Sequence, residues 1–169
     1  MAFYKQEFAK NLWVFPLDGE PEPFLATGFM ERAPMFSPDG NWIAYVSNET
    51  GDDEVYVTSY PGPGARHAIS TGGAREPVGS RDGRKLFYHS EDAMMSVSIT
   101  TTNDGSFTAG KPEVLFEGSY VADTLGPGNP NYDVSPDGRF LLIKPTGGSS
   151  EGRIHVVLDW DEELKRLVP

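Results

Sequence analysis

Three groups of polar residues stand just before three copies of one short turn, and their side chains suit ligand binding. The groups are Glu31 with Arg32, Arg75 with Glu76, and Asn129 with Asn131. Carboxylate, guanidinium and amide groups can together bind a small polar molecule or a peptide through ion pairs and hydrogen bonds. The same groups can instead pair with one another between repeated units, and the sequence leaves both interpretations open.

The other reactive side chains form no pattern that predicts catalysis, a metal site or a cofactor. Cysteine is absent, which excludes thiol nucleophiles and thiolate metal sites. His67, His89 and His155 lack metal-ligand spacing, and we interpret them as structural. The acidic loop 48–54, NETGDDE, offers oxygen ligands for calcium without the alternating spacing of a dedicated loop, so a solvated hairpin loop is favoured. No Gly-x-Ser-x-Gly elbow occurs. Pairs of carboxylates for glycoside hydrolysis come together only in the folded chain, so the sequence leaves that possibility open.

Composition predicts one turn-rich globular domain with an acidic surface. The 169 residues include 19 glycines and 14 prolines, which indicates many turns and short elements. The net charge of −11 repels phosphate backbones and anionic lipids, so neither nucleic acid nor membrane is expected as a partner. The first residues, MAFYKQEFAKNLWVF, do not resemble a signal peptide. We therefore expect a soluble chain and assign no compartment.

The repeated turn defines the organisation of the chain. Its copies are Ser37-Pro38-Asp39-Gly40, Ser80-Arg81-Asp82-Gly83 and Ser135-Pro136-Asp137-Gly138. The first interval, about 43 residues, lies in the range of roughly 40 to 45 that is typical of four-stranded propeller blades. The second interval is longer by about twelve residues, and either 100–110 or 119–130 supplies that insertion.

Short runs rich in β-branched and aromatic residues flank each turn. They include NWIAYVS, RKLFYHS and RFLLIKP directly after the turns, and such runs predict strands. Proline presets φ in the turn, and glycine takes the left-handed conformation that closes a hairpin. The prediction is an all-β propeller of about four blades, each a small antiparallel sheet: a partial blade at about 1–28, then about 29–72, 73–118 and 128–169. The end of the chain, 159–169, has helix-like composition but is predicted to be extended.

These residues resemble a known family. The stretches FSPDGNWIAYVSNETGDDEVYV, STGGAREPVGSRDGRKLFY and NYDVSPDGRFLLI resemble the repeats of TolB-like β-propellers. The whole chain is similar to the C-terminal propeller portion of some bacterial receptor-like serine/threonine kinases, yet no kinase signature is present. Relatives of this kind are often extracytoplasmic. One departure is Gly79, since such repeats commonly hold a large apolar residue there. Either a neighbour such as Met94 or Met95 fills the space, or the space stays a weak point in the packing between blades.

The resemblance implies a non-catalytic binding or scaffolding module with a protein or peptide partner. The alternative is a hydrolase or lyase with an active site at the propeller channel. If a ligand binds, the first candidates are the polar residues listed at the start, because residues just before inner strands face the channel mouth.

Blade counting predicts a homodimer. Closed propellers have about four to eight blades, so a chain of about four, the first incomplete, leaves apolar end faces uncovered. Trp13, Phe15, Ile154 and Val156 are the predicted apolar residues of those faces. Two chains arranged head to tail would complete a ring. A compact four-bladed ring and a monomer whose ends are hidden by residues 1–10 are the alternatives.

Overall fold

The computed structural model describes residues 11–102, 105–120 and 130–144, and all regular structure within them is β. This part of the chain contains no helix of the length and apolar character needed to cross a membrane. The predicted all-β class is confirmed. The predicted extended segment at 159–169 lies outside the described residues. The blade limits stay a prediction, because parts of the first and last predicted blades lie outside them too.

The strands of the described residues form four small sheets, in which all paired strands are antiparallel. Sheet 1 contains β1 (Leu12–Val14) and β2 (Glu22–Leu25). Sheet 2 is a meander of β3 (Glu31–Phe36), β4 (Trp42–Ser47), β5 (Glu54–Ser59) and β6 (His67–Ala68). Sheet 3 contains β7 (Arg75–Gly79), β8 (Lys85–Ser90), β9 (Ala93–Thr101), β10 (Phe107–Ala109) and β11 (Glu113–Glu117). Sheet 4 contains β12 (Tyr132–Val134) and β13 (Phe140–Leu142).

The sheets stack face to face, and each neighbouring pair shares one apolar core. Along β4 the side chains alternate between the two faces, as a strand requires. Ile43 and Tyr45 pack with Leu12 of sheet 1, whereas Trp42, Ala44 and Val46 belong to the core shared with sheet 3. A strand that is apolar on both faces is therefore buried on both. This is the packing of an internal propeller blade.

Sheet 3 is covered on both faces in the same way. Leu86 and Tyr88 of β8 pack toward sheet 2. Phe87, between them in sequence, packs with Tyr132 and Val134 of sheet 4. The stacking order of the sheets thus follows the chain order from sheet 1 to sheet 4.

The repeated turn has the predicted conformation. Gly40, Gly83 and Gly138 have φ of 73°, 72° and 84°, in the left-handed region that glycine adopts without steric cost. The amide of each glycine donates to the carbonyl of the turn serine, over 2.9 to 3.0 Å. Each turn joins the first strand of a sheet to the second. The turn prediction is confirmed.

The space at Gly79 is occupied differently from the prediction. A Cβ placed on Gly79 would lie 3.8 Å from Sδ of Met35, and the Gly79 amide donates to that sulfur. Met94 lies instead in the core shared with sheet 4, and Met95 packs against the core shared with sheet 2. The expectation that Met94 or Met95 fills this space was wrong, because β8 lies between β9 and β7. Strand β3 of sheet 2, which carries Met35, lies against β7.

The first candidate insertion forms a hairpin that extends sheet 3. β8 pairs with the first part of β9, up to Ser98, and β10 pairs with the part beyond, Ile99 to Thr101. The hairpin therefore projects past β8. Most of the second candidate, 119–130, lies outside the described residues.

Candidate functional site

The predicted polar residues lie at the start of the first strand of three sheets. Glu31 and Arg32 begin β3, and Arg75 and Glu76 begin β7. Asn131 directly precedes β12, and Asn129 lies outside the described residues.

Glu76 and Asn131 meet between sheets 3 and 4. Asn131 Nδ2 donates to Glu76 Oε1 over 2.6 Å, and the Tyr132 hydroxyl donates to the Glu76 backbone carbonyl over 2.8 Å. Glu76 and Asn131 are each only 4% exposed. Charge-assisted hydrogen bonds in such surroundings are strong, so this contact ties sheet 4 to sheet 3.

His89 completes this group, which we call the Glu76 cluster: Glu76, His89, Asn131 and Tyr132. His89 Nε2 lies 3.9 Å from Glu76 Oε2, and the imidazole meets the Tyr132 ring edge-on at 5.3 Å between centroids. Burial lowers the pKa of His89, an effect that Glu76 opposes and Arg75 reinforces. Burial also raises the pKa of Tyr132 well above its ordinary value. At neutral pH the cluster therefore holds a neutral imidazole and a protonated phenol.

A repeated backbone feature positions Glu76. Glu76 has φ of 55° and Ala33 has φ of 51°, although neither is glycine. Both residues precede a proline at the same distance before the turn serine, and both lie in a β-bulge at the start of their strand. Bulges of this kind redirect a side chain. The same bulge therefore positions the small side chain of Ala33 in sheet 2 and the carboxylate of Glu76 in sheet 3.

Glu31 and Arg32 have partners close to sheet 2. The Thr27 hydroxyl donates to Glu31 Oε1 over 2.6 Å, and Arg32 forms an ion pair with Asp53. Glu31 is buried, at 2% exposed. Since Thr27 lies in the connection from sheet 1 and Asp53 in the loop between β4 and β5, these contacts fasten loops to the start of β3.

Two glutamates of the acidic segment 48–54 stabilise the fold through hydrogen bonds and an ion pair. The buried carboxylate of Glu54 accepts hydrogen bonds from the Ser70 hydroxyl at 2.5 Å and from the amides of Gly72 and Gly73 at 2.6 and 2.9 Å. In the same loop, Glu49 pairs with Arg66. The described part of the chain has no group of three or more acidic or histidine side chains that could hold a metal ion.

A cleft opens between sheets 2 and 3 on the side of the turns. This turn-side cleft has a volume of about 550 Å³. Among its lining residues are Phe36, Asp39, Trp42, Lys85, Ile99 and Phe107. A second cavity of about 380 Å³ adjoins it and shares Asp39, Trp42 and Thr101. The two cavities are therefore neighbours along the turn side of sheet 2.

The inserted hairpin builds one wall of the turn-side cleft. Phe107 of β10 reaches sheet 2, where its ring lies 4.9 Å from that of Trp42 and 4.7 Å from that of His67. Phe36 also borders the cleft, but its ring packs edge-on against Tyr60, on the face of sheet 2 that carries Ile43, its partner on β4. Without the hairpin, the Trp42 ring would lose this cover.

Fixed charges lie along the rim of the cleft. Hydrogen bonds from the hydroxyls of Ser37 and Ser80 lower the pKa of Asp39 and of Asp82, so both carboxylates are ionised at neutral pH. Arg84 and Lys85 lie on the same rim. A ligand in this cleft would meet an apolar floor and charges of both signs.

Comparison with known proteins gives the fold. No protein-family model matches the chain, and a search of curated proteins finds no match either. Among solved structures the chain is similar to "putative TolB" from Agrobacterium tumefaciens, with a TM-score of 0.50 and 23% sequence identity. The match covers 75% of this chain and 46% of that one. This chain has a TolB-like fold. It spans less than half the length of that structure.

The TolB-like fold brings some of the predicted site residues together. It joins Glu76 to Asn131 across two sheets, while Glu31 and Arg32 contact Thr27 and Asp53 instead. The sequence predicted a structural role for His89 but not its contact with Glu76. Strand pairing could have indicated that contact, because β7 and β8 pair His89 with Arg75, the residue next to Glu76.

The buried histidine of the TolB-like chain should make its stability depend on pH. The folded pKa of His89 lies below its ordinary value of 6.5, so the unfolded chain binds its proton first as the pH falls. Stability is therefore full above about pH 6.5 and is lost as the pH falls through the folded pKa, with a slope of at most about 1.4 kcal/mol per pH unit for one proton. Thermal unfolding at pH 7.5 and 5.5 measures this loss.

His89→Gln should flatten that dependence, whereas His67→Gln should keep it. Asp39, Asp82 and Asp137 also have lowered pKa values, but they titrate below 3.8 and so outside this range. An unchanged slope in His89→Gln would show that His89 is not the titrating group.

Proposed function

We propose that this chain is a non-catalytic binding module that holds a protein or peptide segment in the turn-side cleft. The observation that carries the proposal is the cleft itself: an open groove with an aromatic floor and a charged rim. Its volume lies within the roughly 300 to 1,000 Å³ of ligand pockets. The adjoining second cavity adds about 380 Å³ beside it, which favours a ligand with several side chains over a single small molecule.

The predicted channel-mouth residues are the second proposed contact set. Arg75 is exposed there and could meet a ligand carboxylate. Glu76 and Asn131 are buried and hydrogen-bonded to each other, which favours a structural role for them. The turn-side cleft is therefore the first proposed site.

A hydrolase or lyase at the channel is the less supported alternative. Glu76 and His89 would supply a carboxylate and an imidazole, but they are only 4% and 3% exposed, and a substrate needs access to both. The similarity to receptor-like kinase propellers and an extracytoplasmic location remain proposals, since the structural likeness carries only the fold. An acidic chain also favours partners other than nucleic acid or membrane.

The binding proposal is tested with a random peptide library displayed on phage and selected on the wild-type chain. Phe107→Ser removes the ring that builds one wall of the cleft and should weaken selected peptides at least tenfold, because aromatic anchors dominate binding. Phe116→Ser is the matched control, since Phe116 is likewise partly buried and does not line the cleft; thermal unfolding checks that both variants are folded. Arg75→Ala tests the channel mouth.

Each result has a clear meaning. Weaker binding by Phe107→Ser alone supports the cleft. Weaker binding by Arg75→Ala alone moves the site to the channel mouth and overturns the cleft. Failure to select any peptide contradicts the binding module, as would turnover of ester, peptide, glycoside or phosphate substrates that Glu76→Ala abolishes.

A further inference from the structure

The three copies of the repeated turn differ in charge at the residue after the glycine. This residue is Arg84 in the second copy and Arg139 in the third, but Asn41 in the first. The hydrogen bonding is otherwise alike, because in each copy the serine hydroxyl donates to the aspartate carboxylate over 2.5 to 2.6 Å. The repeat therefore compares one turn aspartate without an arginine beside it with two that have one.

The arginines compensate the aspartate charge in the second and third copies. Arg139 Nε lies 2.9 Å from Asp137 Oδ2 and forms an ion pair with it. The Arg84 amide donates to Asp82 over 3.1 Å, and the positive charge of Arg84 also favours the ionised form of that carboxylate. Because a positive charge already lies near both carboxylates, neither is suited to binding a cation from a ligand.

Asp39 of the first copy has only neutral hydrogen-bond donors among the described residues. Its Oδ1 accepts from the Ser37 hydroxyl at 2.5 Å and from the Asn41 amide at 3.2 Å. Its Oδ2 accepts from the Asn41 side chain at 3.0 Å. Since each carboxylate oxygen has two lone pairs, Oδ2 keeps one acceptor position. The exposed carboxylate therefore holds a negative charge that the turn does not compensate, and it can accept one further donor.

Asp39 lines the second cavity, and the rest of the described lining of that cavity is neutral. Arg84 and Lys85 border the turn-side cleft and not the second cavity. The neutral lining includes two aromatic side chains and two hydroxyls, those of Trp42, Tyr60, Ser59 and Thr101. Hydroxyl oxygens accept hydrogen bonds from an ammonium, and apolar side chains suit the methylene stem that carries it. The second cavity thus combines one uncompensated carboxylate with the surroundings that a primary amine on an alkyl chain requires.

We propose that the second cavity binds a lysine side chain of the peptide held in the turn-side cleft. Its ammonium would donate to Asp39, and its methylenes would pack against Trp42 and Tyr60. This inference rests on the proposed binding function and specifies the chemistry of its ligand. Lysine is favoured over arginine because Asp39 Oδ2 offers one acceptor position, whereas a guanidinium binds a carboxylate best through two parallel hydrogen bonds.

Peptides selected from the displayed random library on the wild-type chain test this assignment. They should share a lysine whose replacement by norleucine, which keeps the stem but removes the charge, weakens binding about three- to tenfold, as expected for an ion pair at a partly exposed site. Replacement by arginine should weaken binding by a smaller factor. Added salt should reduce the difference between lysine and norleucine peptides, because it screens the charge of Asp39.

Three variants of the chain locate the group that recognises lysine. Asn41→Arg gives the first turn the residue of the other two copies, and Asp39→Asn removes the carboxylate charge, so each should remove the difference between lysine and norleucine peptides. Asp137→Asn is the matched control and should keep that difference. It makes the same substitution at the same turn position and raises the net charge by the same amount, but Asp137 lines neither cavity. Thermal unfolding checks that all three variants are folded.

The outcomes separate this inference from the binding proposal. Equal affinity of lysine and norleucine peptides for the wild-type chain, while Phe107→Ser still weakens both, overturns the inference and leaves the binding proposal intact. Arginine peptides that bind as tightly as lysine peptides also overturn it. Loss of the difference in Asp137→Asn as well would assign it to the overall negative charge and overturn the site at Asp39. Failure to select any peptide contradicts the binding proposal itself, and this inference with it.

Discussion

Replacing Glu54 by alanine should lower the free energy of unfolding by about 2 to 4 kcal/mol, because three donors lose their acceptor at once. The Ser70 hydroxyl is buried, whereas the amides of Gly72 and Gly73 lie nearer to solvent. Water can therefore replace the carboxylate for the two amides but not for the hydroxyl. Urea denaturation at pH 7 measures the change.

Two comparisons identify the cause of that loss. Glu54→Gln keeps one oxygen acceptor in place and should lose less stability than Glu54→Ala. Asp52→Ala, in the same acidic loop but exposed, should change the free energy of unfolding by less than about 0.5 kcal/mol. If Glu54→Ala is as stable as Asp52→Ala, the hydrogen bonds to Ser70, Gly72 and Gly73 do not hold this connection between sheets 2 and 3.

The strands and turns could be predicted because their signals are local. A turn of Ser, Pro, Asp and Gly sets its own geometry, and Gly40 and Gly138 take the left-handed conformation whatever surrounds them. The alternation in the run from Trp42 to Ser47 likewise follows from strand geometry. The sequence therefore predicts the all-β class and the hairpin at each turn.

The contacts between sheets could not be predicted, because they depend on details that the repeat does not encode. Met35 rather than Met94 faces Gly79, and this follows from how sheets 2 and 3 lie against each other. Phe107 reaches Trp42 because its hairpin projects past β8. Neither contact leaves a periodic signal in the sequence.

The candidate site was predicted in part for the same reason. Aligning the turns placed Glu76 and Asn131 at corresponding strand starts, and they do meet. The structural role of Glu54 could not be predicted, because its hydrogen-bond donors, Ser70, Gly72 and Gly73, lie in the loop after β6. A list of acidic residues cannot separate such a buried acceptor from solvated neighbours such as Asp52.

Replacing Asn131 by alanine should lower the free energy of unfolding by about 1.5 to 3 kcal/mol, the value of a hydrogen bond to a charged group. Its amide donates to the buried Glu76 carboxylate over 2.6 Å. Because both residues are buried, water does not readily replace the lost hydrogen bond. Because the bond joins sheet 4 to sheet 3, the loss should appear as earlier exposure of the amides of β12 to hydrogen exchange. Urea denaturation gives the total effect.

A second hydrogen bond from an asparagine amide to a carboxylate lies at the surface, and it separates the effect of burial from that of the bond. Asn41 Nδ2 donates to Asp39 Oδ2 over 3.0 Å at the surface, so Asn41→Ala should cost less than about 0.5 kcal/mol. Asn131→Asp keeps the shape but sets a second carboxylate against Glu76. Like charges at this distance cannot both stay ionised, so this variant should be less stable than Asn131→Ala at pH 7 and recover part of the difference at pH 5. Equal stability of Asn131→Ala and Asn41→Ala would contradict the role of Asn131 as the link between these two sheets.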